Sequence, residues 1–305
     1  MFRFTGINDK PLIIPVFIPH LGCPNMCAFC DQRLISGIEE PSLENIEKSV
    51  KDYLGWSKKR EKTEISFYGG SFTAIPFEKM MQYIKKGVEF IDNGSVNVLR
   101  CSTRPDAIDI GIAKILKENH FETVELGVQS LSNNLLKKMN RGHTVDDVFN
   151  AVRILRKEGL KTVVQLMAGY PYESESDFNI TLLKLKKLKP DALRIYPFVP
   201  IENTEIYSQI KEGIVKKVLP DHVIDRTAKI FIASMSESIP VIRIGLHMTS
   251  GIPDIYPHNL YQIVICRAVE KLAADGETEF EMPENMITGF NMAKKKYPQI
   301  KLSQS

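Results

Sequence analysis

Over the first two hundred positions, short apolar runs alternate with longer stretches in which apolar residues return every three or four positions. The first run lies between Pro11 and Pro19. Its core, Leu-Ile-Ile-Pro-Val-Phe-Ile, reads as a strand apolar on both faces, as suits a buried parallel strand. Ser42 then caps a helix reaching Trp56, with Leu43, Ile46, Val50 and Leu54 on one stripe. Glu64 to Tyr68 predicts a second strand, Phe77 to Ile91 a helix, Val96 to Cys101 a third strand and Ile108 to Asn119 a helix. Thr123 to Val128 predicts a fourth strand. Thr144 caps the helix Val145 to Glu158, which carries Asp147 in its first turn and an apolar stripe of Val145, Val148, Val152 and Leu155. Thr162 to Met167, the helix Ser174 to Leu188 and a sixth strand, Ala192 to Tyr196, complete the series.

Strands alternating with helices in this way predict a parallel sheet with right-handed crossovers, an open or closed barrel. In barrels the chemistry sits on loops beyond the C-terminal ends of the strands. The polar and glycine clusters fall there: Gly69-Gly70-Ser71, Ser102 to Asp106, Gln129-Ser130 and Gly169-Tyr170-Pro171, with Pro197 to Pro200 after the sixth strand. Past Pro200 the alternation loosens. Helices near Asn203 to Lys211, Asp221 to Ser238, Leu260 to Ala274 and Glu284 to Lys296, with a strand Val241 to Leu246, predict an α-rich extension over residues 201–305, packed on a barrel of residues 11–200. No low-complexity linker and no internal repeat beyond the strand–helix unit marks an independent second domain.

Composition narrows the class. A chain of 305 residues with 43% hydrophobic and 25% charged residues can bury one large core without disulfides. Its net charge of +3, from 40 basic and 37 acidic residues, is too small to argue for a nucleic-acid partner by itself. The run Lys294-Lys295-Lys296 reads as the solvated face of the last helix. The N-terminus lacks the apolar core of a signal peptide, and the run that follows is broken by Pro15 and Pro19, so a cytoplasmic protein with no membrane association is expected.

Three of the five cysteines, Cys23, Cys27 and Cys30, fall within eight residues just after the first strand. Such close spacing on a polar loop marks a ligand set rather than a disulfide framework. Thiolates suit zinc or an iron–sulfur cluster. His20 would close a Cys3His zinc site; without it, one corner of a 4Fe–4S cluster stays open to a substrate. Cys101 and Cys266 read as small apolar residues, and the lone histidines His143 and His258 carry no assigned role.

The spacing Cys-x3-Cys-x2-Cys, with Phe29 directly before the last cysteine, resembles the signature of the radical S-adenosylmethionine (SAM) superfamily, and within it the elongator catalytic-subunit-like group. The resemblance implies a partial (β/α)6 TIM-like barrel, a 4Fe–4S cluster on Cys23, Cys27 and Cys30, and reductive cleavage of SAM to a radical that abstracts hydrogen from a substrate. It places Phe29 and the strand-end residues around SAM. Gly69 and Gly70 stand where relatives carry Gly-Gly-Glu, whose carbonyls accept from the methionine amino group; Ser71 replaces the glutamate. Ser102, Arg104 and Gln129 fall where the methionine carboxylate and the ribose are bound. Arg141 is the candidate for two-point pairing with that carboxylate. Gln165 stands where coproporphyrinogen dehydrogenase-like relatives carry an acidic ribose ligand, and Gly169-Tyr170-Pro171 and Tyr196 line the adenine side.

The resemblance also implies an external electron donor such as flavodoxin or ferredoxin. Elongator catalytic subunits modify a wobble uridine of transfer RNA, but carry a basic N-terminal extension and an acetyltransferase domain that have no counterpart in this sequence. No use of acetyl-CoA is therefore expected. RNA modification of another kind and small-molecule chemistry of the coproporphyrinogen dehydrogenase sort both stay open, as does a non-enzymatic zinc-binding protein.

Overall fold

The computed structural model describes residues 1–5, 11–18, 22–23, 27–31, 41–57, 61–245 and 255–303. Seven strands form one sheet in sequence order: β2 (Leu12–Ile18), β3 (Thr63–Gly69), β4 (Val98–Thr103), β5 (Phe121–Gln129), β6 (Lys161–Ala168), β7 (Ala192–Pro197) and β8 (Val241–Ile244). All neighbours pair in parallel. Helices α1 (Leu43–Trp56), α2 (Phe77–Asp92), α3 (Ile110–Glu118), α5 (Val145–Lys157), α6 (Glu175–Leu188) and α8 (Pro220–Ser236) make the crossovers. A short helix, α4 (Asn133–Lys138), precedes α5, and α7 (Glu205–Lys211) precedes α8.

The α/β alternation and the partial barrel agree with the sequence reading. The sheet, however, runs one strand further, because the segment from Val241 pairs with β7 instead of standing apart in the C-terminal extension. A small second sheet joins the chain's ends: β1 (Phe2–Arg3) and β10 (Lys301–Leu302) flank β9 (Glu279–Glu281). Strands of two or three residues carry no period, so only the fold reveals them. They are held by aromatic packing: Phe4 stacks on Phe231 of α8 at 5.7 Å and Phe280 meets Phe290 at 5.8 Å. Phe290 lies on α10 (Ile287–Lys294), which packs closely on α9 (Leu260–Ala274): a Cβ at Gly289 would lie 2.7 Å from the Gln262 carbonyl oxygen.

The pleat gives the sheet two unlike faces. One, with Ile14, Val16, Ile65, Phe67, Leu99, Val124, Leu126, Val164, Leu166, Leu193 and Ile195, is buried in the main core. Helices cover it; at Gly87 of α2 a Cβ would lie 2.9 Å from Leu99. The first strand was expected to be apolar on both faces, yet only Ile14, Val16 and Ile18 are buried, while Phe17 is 38% exposed. The reason is position: β2 is an edge strand, which also tolerates Pro15.

The other face carries charge. Arg100 of β4 pairs with Glu64 of β3 at 2.7 Å and with Glu125 of β5 at 3.0 Å, and Arg194 of β7 pairs with Glu125 at 2.7 Å. The Tyr68 hydroxyl donates to Glu125 at 3.0 Å and accepts from Arg194 at 3.2 Å. Tyr68 and Arg194 stand on strands separated by three others, so they can meet only because the sheet curls and this face is its concave inside. Barrel interiors of this class are usually filled by branched apolar side chains. Here a buried lattice of ion pairs spans the interior below the strands' C-terminal ends.

Among the described residues, no helix is long and apolar enough to cross a membrane.

Candidate cofactor site

The cysteine loop leaves the C-terminal end of β2 and is fixed by close backbone approaches. Gly22 has φ +74°, and a Cβ there would lie 2.2 Å from the Ser71 carbonyl oxygen, so only glycine lets the loop settle on the end of β3. Gly69, at φ +114°, is as tightly placed: a Cβ would lie 2.3 Å from the Ile18 carbonyl oxygen. The Gly70 N–H donates to that same oxygen at 3.0 Å. The Gly-Gly turn thus shapes the junction of β2, β3 and the cysteine loop.

Around the second and third cysteines the chain is pinned on both sides. The Ala28 N–H donates to Met139 O at 3.0 Å, the Ala28 carbonyl accepts from Ile206 N at 2.9 Å, and Cys30 N donates to Cys27 O at 3.1 Å. Phe29 packs edge-on against Tyr170 at 6.2 Å, within an apolar cluster formed by Leu135, Met139, Phe198, Ile206 and Val215. None of the three cysteines is in a disulfide; Cys23 is exposed and Cys27 and Cys30 are half-buried. Burial, and then the neighbouring Cys27, push the Cys23 thiol above its ordinary value, opposed by Arg104 and Arg141. Among the described residues, no three His, Cys, Asp or Glu side chains lie close enough together to hold a metal. His20 and residues 24–26 lie outside the described residues.

Met139 O and Arg141 both belong to the end of α4, the helix that the sequence pattern did not disclose. Its signals are present but short: Ser132 as N-cap, then Leu135, Leu136 and Met139 as the apolar face. The helix ends with Asn140 at φ +52°, Asn140 N donating to Lys137 O at 3.1 Å and Arg141 N to Leu136 O at 3.0 Å. This is a Schellman motif, and it sets the backbone from which the Arg141 side chain departs. Arg141 Nη1 donates to Cys27 Sγ at 3.1 Å and Nη2 to Gly127 O at 2.5 Å, while Nε is buried without a partner. The sequence reading assigned this guanidinium to a carboxylate; both its terminal nitrogens are engaged by the protein.

Arg104 is likewise held. It grips Asp106 with two bonds of 3.0 Å and donates to Arg141 O at 2.5 Å, leaving Nη1 buried and unpartnered. Ser71, expected near the cofactor, is fully buried: its hydroxyl bonds Thr103 Oγ1 at 2.8 Å and accepts from Arg104 N at 3.1 Å. Thr73 joins the same clamp through Thr103 at 2.6 Å. These bonds tie the loop after β3 to the end of β4.

On the inner face Ser102, Gln165 and Tyr196 are half-buried at the strand ends. Gln165 Nε2 donates to Gln129 Oε1 at 3.2 Å, so the structure brings these two predicted residues together. Gln129 adopts φ +68°, a strained conformation for a side-chain-bearing residue and one that accompanies functional positions. Gly169, at φ +76°, approaches Val223 of α8, and the Tyr170 hydroxyl is buried with no partner.

Cys101 is fully buried on the helix-facing side of β4, where burial pushes its thiol up, and Cys266 is half-buried in α9. Both are placed as the sequence suggested. His258 is exposed. His143 is more informative: it is 4% exposed, neither ring nitrogen has a partner, and burial followed by Arg141 lowers its pKa from 6.5 to about 4. A depressed histidine contributes stability that is present above pH 6.5 and lost as pH falls through 4. His143→Leu is therefore expected to flatten the decline of Tm over that interval, read by calorimetry at half-unit steps. A slope equal to wild type would refute the assignment.

The carboxylate of Asp177 anchors α4 from its other end. It accepts from Ser132 Oγ and Ser174 Oγ at 2.5 Å and from Asn134 at 3.1 Å, and these bonds outweigh burial to hold its pKa down to about 2. Asp177→Ala removes both an N-cap partner and a capping-box member. The expected cost is about 1–3 kcal/mol, measured by urea denaturation, with faster exchange of the amides in α4. Unchanged exchange there would show that α4 is held by packing alone.

The profile of the radical SAM superfamily matches residues 17–185, over half the chain. The chain belongs to the radical SAM superfamily. This radical SAM protein is 29% identical over 204 residues to an uncharacterized protein of Methanocaldococcus jannaschii, covering 65% of this chain and 59% of that protein. It is 31% identical over 185 residues to the tRNA uridine(34) acetyltransferase of the same archaeon, covering 54% of this chain and 34% of that one. The chain thus spans between a third and three fifths of the length of these relatives. Among solved structures, the Methanocaldococcus infernus Elp3 with an N-terminal deletion superposes with a TM-score of 0.63 at 23% identity, over 88% of this chain and 64% of that chain. The Escherichia coli coproporphyrinogen III oxidase gives 0.56 at 18% identity, over 75% and 53%. At such identities the likeness is one of fold: the same curled parallel sheet with helices outside.

Proposed function

We propose that the protein holds a 4Fe–4S cluster on Cys23, Cys27 and Cys30, binds SAM over the ends of β3 to β6, and uses it for hydrogen abstraction from a transfer RNA. The observation that carries this reading is the three-cysteine loop at the C-terminal end of β2, without a disulfide, with the Arg141 guanidinium seated on Cys27 Sγ. Three thiolates are a soft donor set that suits iron and sulfide. The donor set therefore fits the group in kind.

When bound, the cluster and SAM supply a reductively generated organic radical, with the electron coming from an external donor of the flavodoxin or ferredoxin type. The chain's own residues orient and shield. Gly69 and Gly70 keep side chains away from the β2–β3 junction. The Gln129–Gln165 pair keeps an amide N–H2 group and a carbonyl oxygen for ribose hydroxyls. Phe29, Tyr170 and Phe198 pack an apolar wall behind the cysteines, which keeps water from that side. The ion-pair lattice closes the barrel interior beneath.

Transfer RNA is favoured over a small molecule because the similar proteins include a tRNA uridine(34) acetyltransferase and a tRNA-2-methylthio-N(6)-dimethylallyladenosine synthase. The test is anaerobic reconstitution followed by iron, sulfide and 5'-deoxyadenosine analysis, with filter binding of bulk transfer RNA at two salt concentrations. Cluster assembly, slow SAM cleavage and RNA binding that weakens steeply with salt are expected. One tightly held zinc with neither iron nor sulfide would sink the cluster reading. Loss of all RNA binding at low salt would leave a small-molecule substrate.

A further inference from the structure

Resting on that cluster reading, we propose that Arg141 is a positioning residue for the cluster: it hydrogen-bonds a ligand sulfur and raises the cluster's reduction potential, instead of clamping the carboxylate of SAM. The geometry engages both terminal nitrogens of the guanidinium, leaving Nε buried without a partner. Nη1 reaches Cys27 Sγ at 3.1 Å and Nη2 reaches Gly127 O at 2.5 Å. Two-point pairing with a carboxylate uses the terminal nitrogens, and each of them already donates to the protein.

The placement is also supported from behind. The Schellman motif of α4 fixes the Arg141 backbone N–H on Leu136 O at 3.0 Å, and Arg104, itself locked on Asp106, donates to the Arg141 carbonyl at 2.5 Å. The residue is 7% exposed, so its charge acts through protein and not through bulk water. A guanidinium stays protonated throughout the accessible pH range.

The physical consequence is directional. Hydrogen bonds to the sulfurs and nearby charge set the potential of an iron–sulfur cluster. A cation beside a thiolate ligand stabilises the form carrying one more electron. It therefore makes one-electron reduction by an external donor easier. The same α4 terminus supplies Met139 O to Ala28 N, so the helix that aims Arg141 also fixes the loop it addresses.

The experiment is an EPR-monitored redox titration of anaerobically reconstituted wild-type, Arg141→Gln and Arg141→Lys protein, with dithionite as reductant and SAM dissociation constants measured in parallel. The Gln variant is expected to lose about tenfold or more in the reduction equilibrium, a midpoint about 59 mV more negative for a one-electron couple. The Lys variant recovers part of the loss, and SAM affinity stays within about threefold of wild type in both. If Arg141→Gln holds no iron, Arg141→Lys decides, with a midpoint below wild type in support and an equal one against. An unchanged midpoint in iron-loaded variants overturns the proposal, as does lost SAM affinity at constant midpoint, which would return Arg141 to the carboxylate. Wild-type protein that takes up no iron overturns instead the cluster reading on which this one rests.

Discussion

On the proposed cluster reading, Cys30→Ala protein, reconstituted anaerobically beside wild type, is expected to hold no 4Fe–4S cluster and to cleave no SAM. Removing one of three thiolates leaves the iron without a protein-bound corner, and no other cysteine is placed to replace it. Cys101 is fully buried on the opposite face of β4, and Cys266 lies on α9. The fold itself should survive, because the loop is held by backbone bonds of Ala28 and by Phe29, none of which needs the thiol. Far-UV circular dichroism and Tm near those of the apo wild type would confirm that. Cleavage of SAM to 5'-deoxyadenosine at the wild-type rate would remove Cys30 from the ligand set. Cys101→Ala is the control, expected to keep both iron and cleavage.

The second large effect is on stability. Glu125→Leu removes the carboxylate shared by Arg100, Arg194 and the Tyr68 hydroxyl, and leaves Arg194 without this counter-charge and Arg100 with Glu64 alone inside the barrel. Breaking a buried pair from one side costs about 3–5 kcal/mol, because the partner charges stay buried without compensation. For a chain of this size that lowers Tm on the order of 10 °C. The paired replacement Glu125→Leu with Arg194→Met should recover much of the loss, since swapping both members for apolar groups is close to neutral. A single variant that melts within a degree or so of wild type would show that the lattice does not hold the curled sheet together.

Glu64, Arg100, Glu125 and Arg194 are all at least nine-tenths buried, while Ser102 and Gln165, the register neighbours of Glu125 and Arg194, are half-buried, as is Tyr196.

The alternating strands and helices were legible because period and capping are local. Ser42, Thr144 and Ser174 each begin a helix where the sequence says so, and the side chain of each accepts from the residue three positions on. The cysteine spacing is local too, and it carries the resemblance to the superfamily to which the chain belongs. What the sequence could not carry is everything made by residues distant along the chain. Glu125 and Arg194 look like ordinary strand charges until the sheet curls and sets them 2.7 Å apart. Helix α4 is too short for its apolar period to register, yet its terminus aims Arg141. Arg141 lies 114 positions from Cys27, so only folding could show that its guanidinium meets that thiol. Local preference chose the elements and the ligand set; their side-chain partners were decided by long-range packing, in which a buried polar atom takes whichever partner the fold brings within reach.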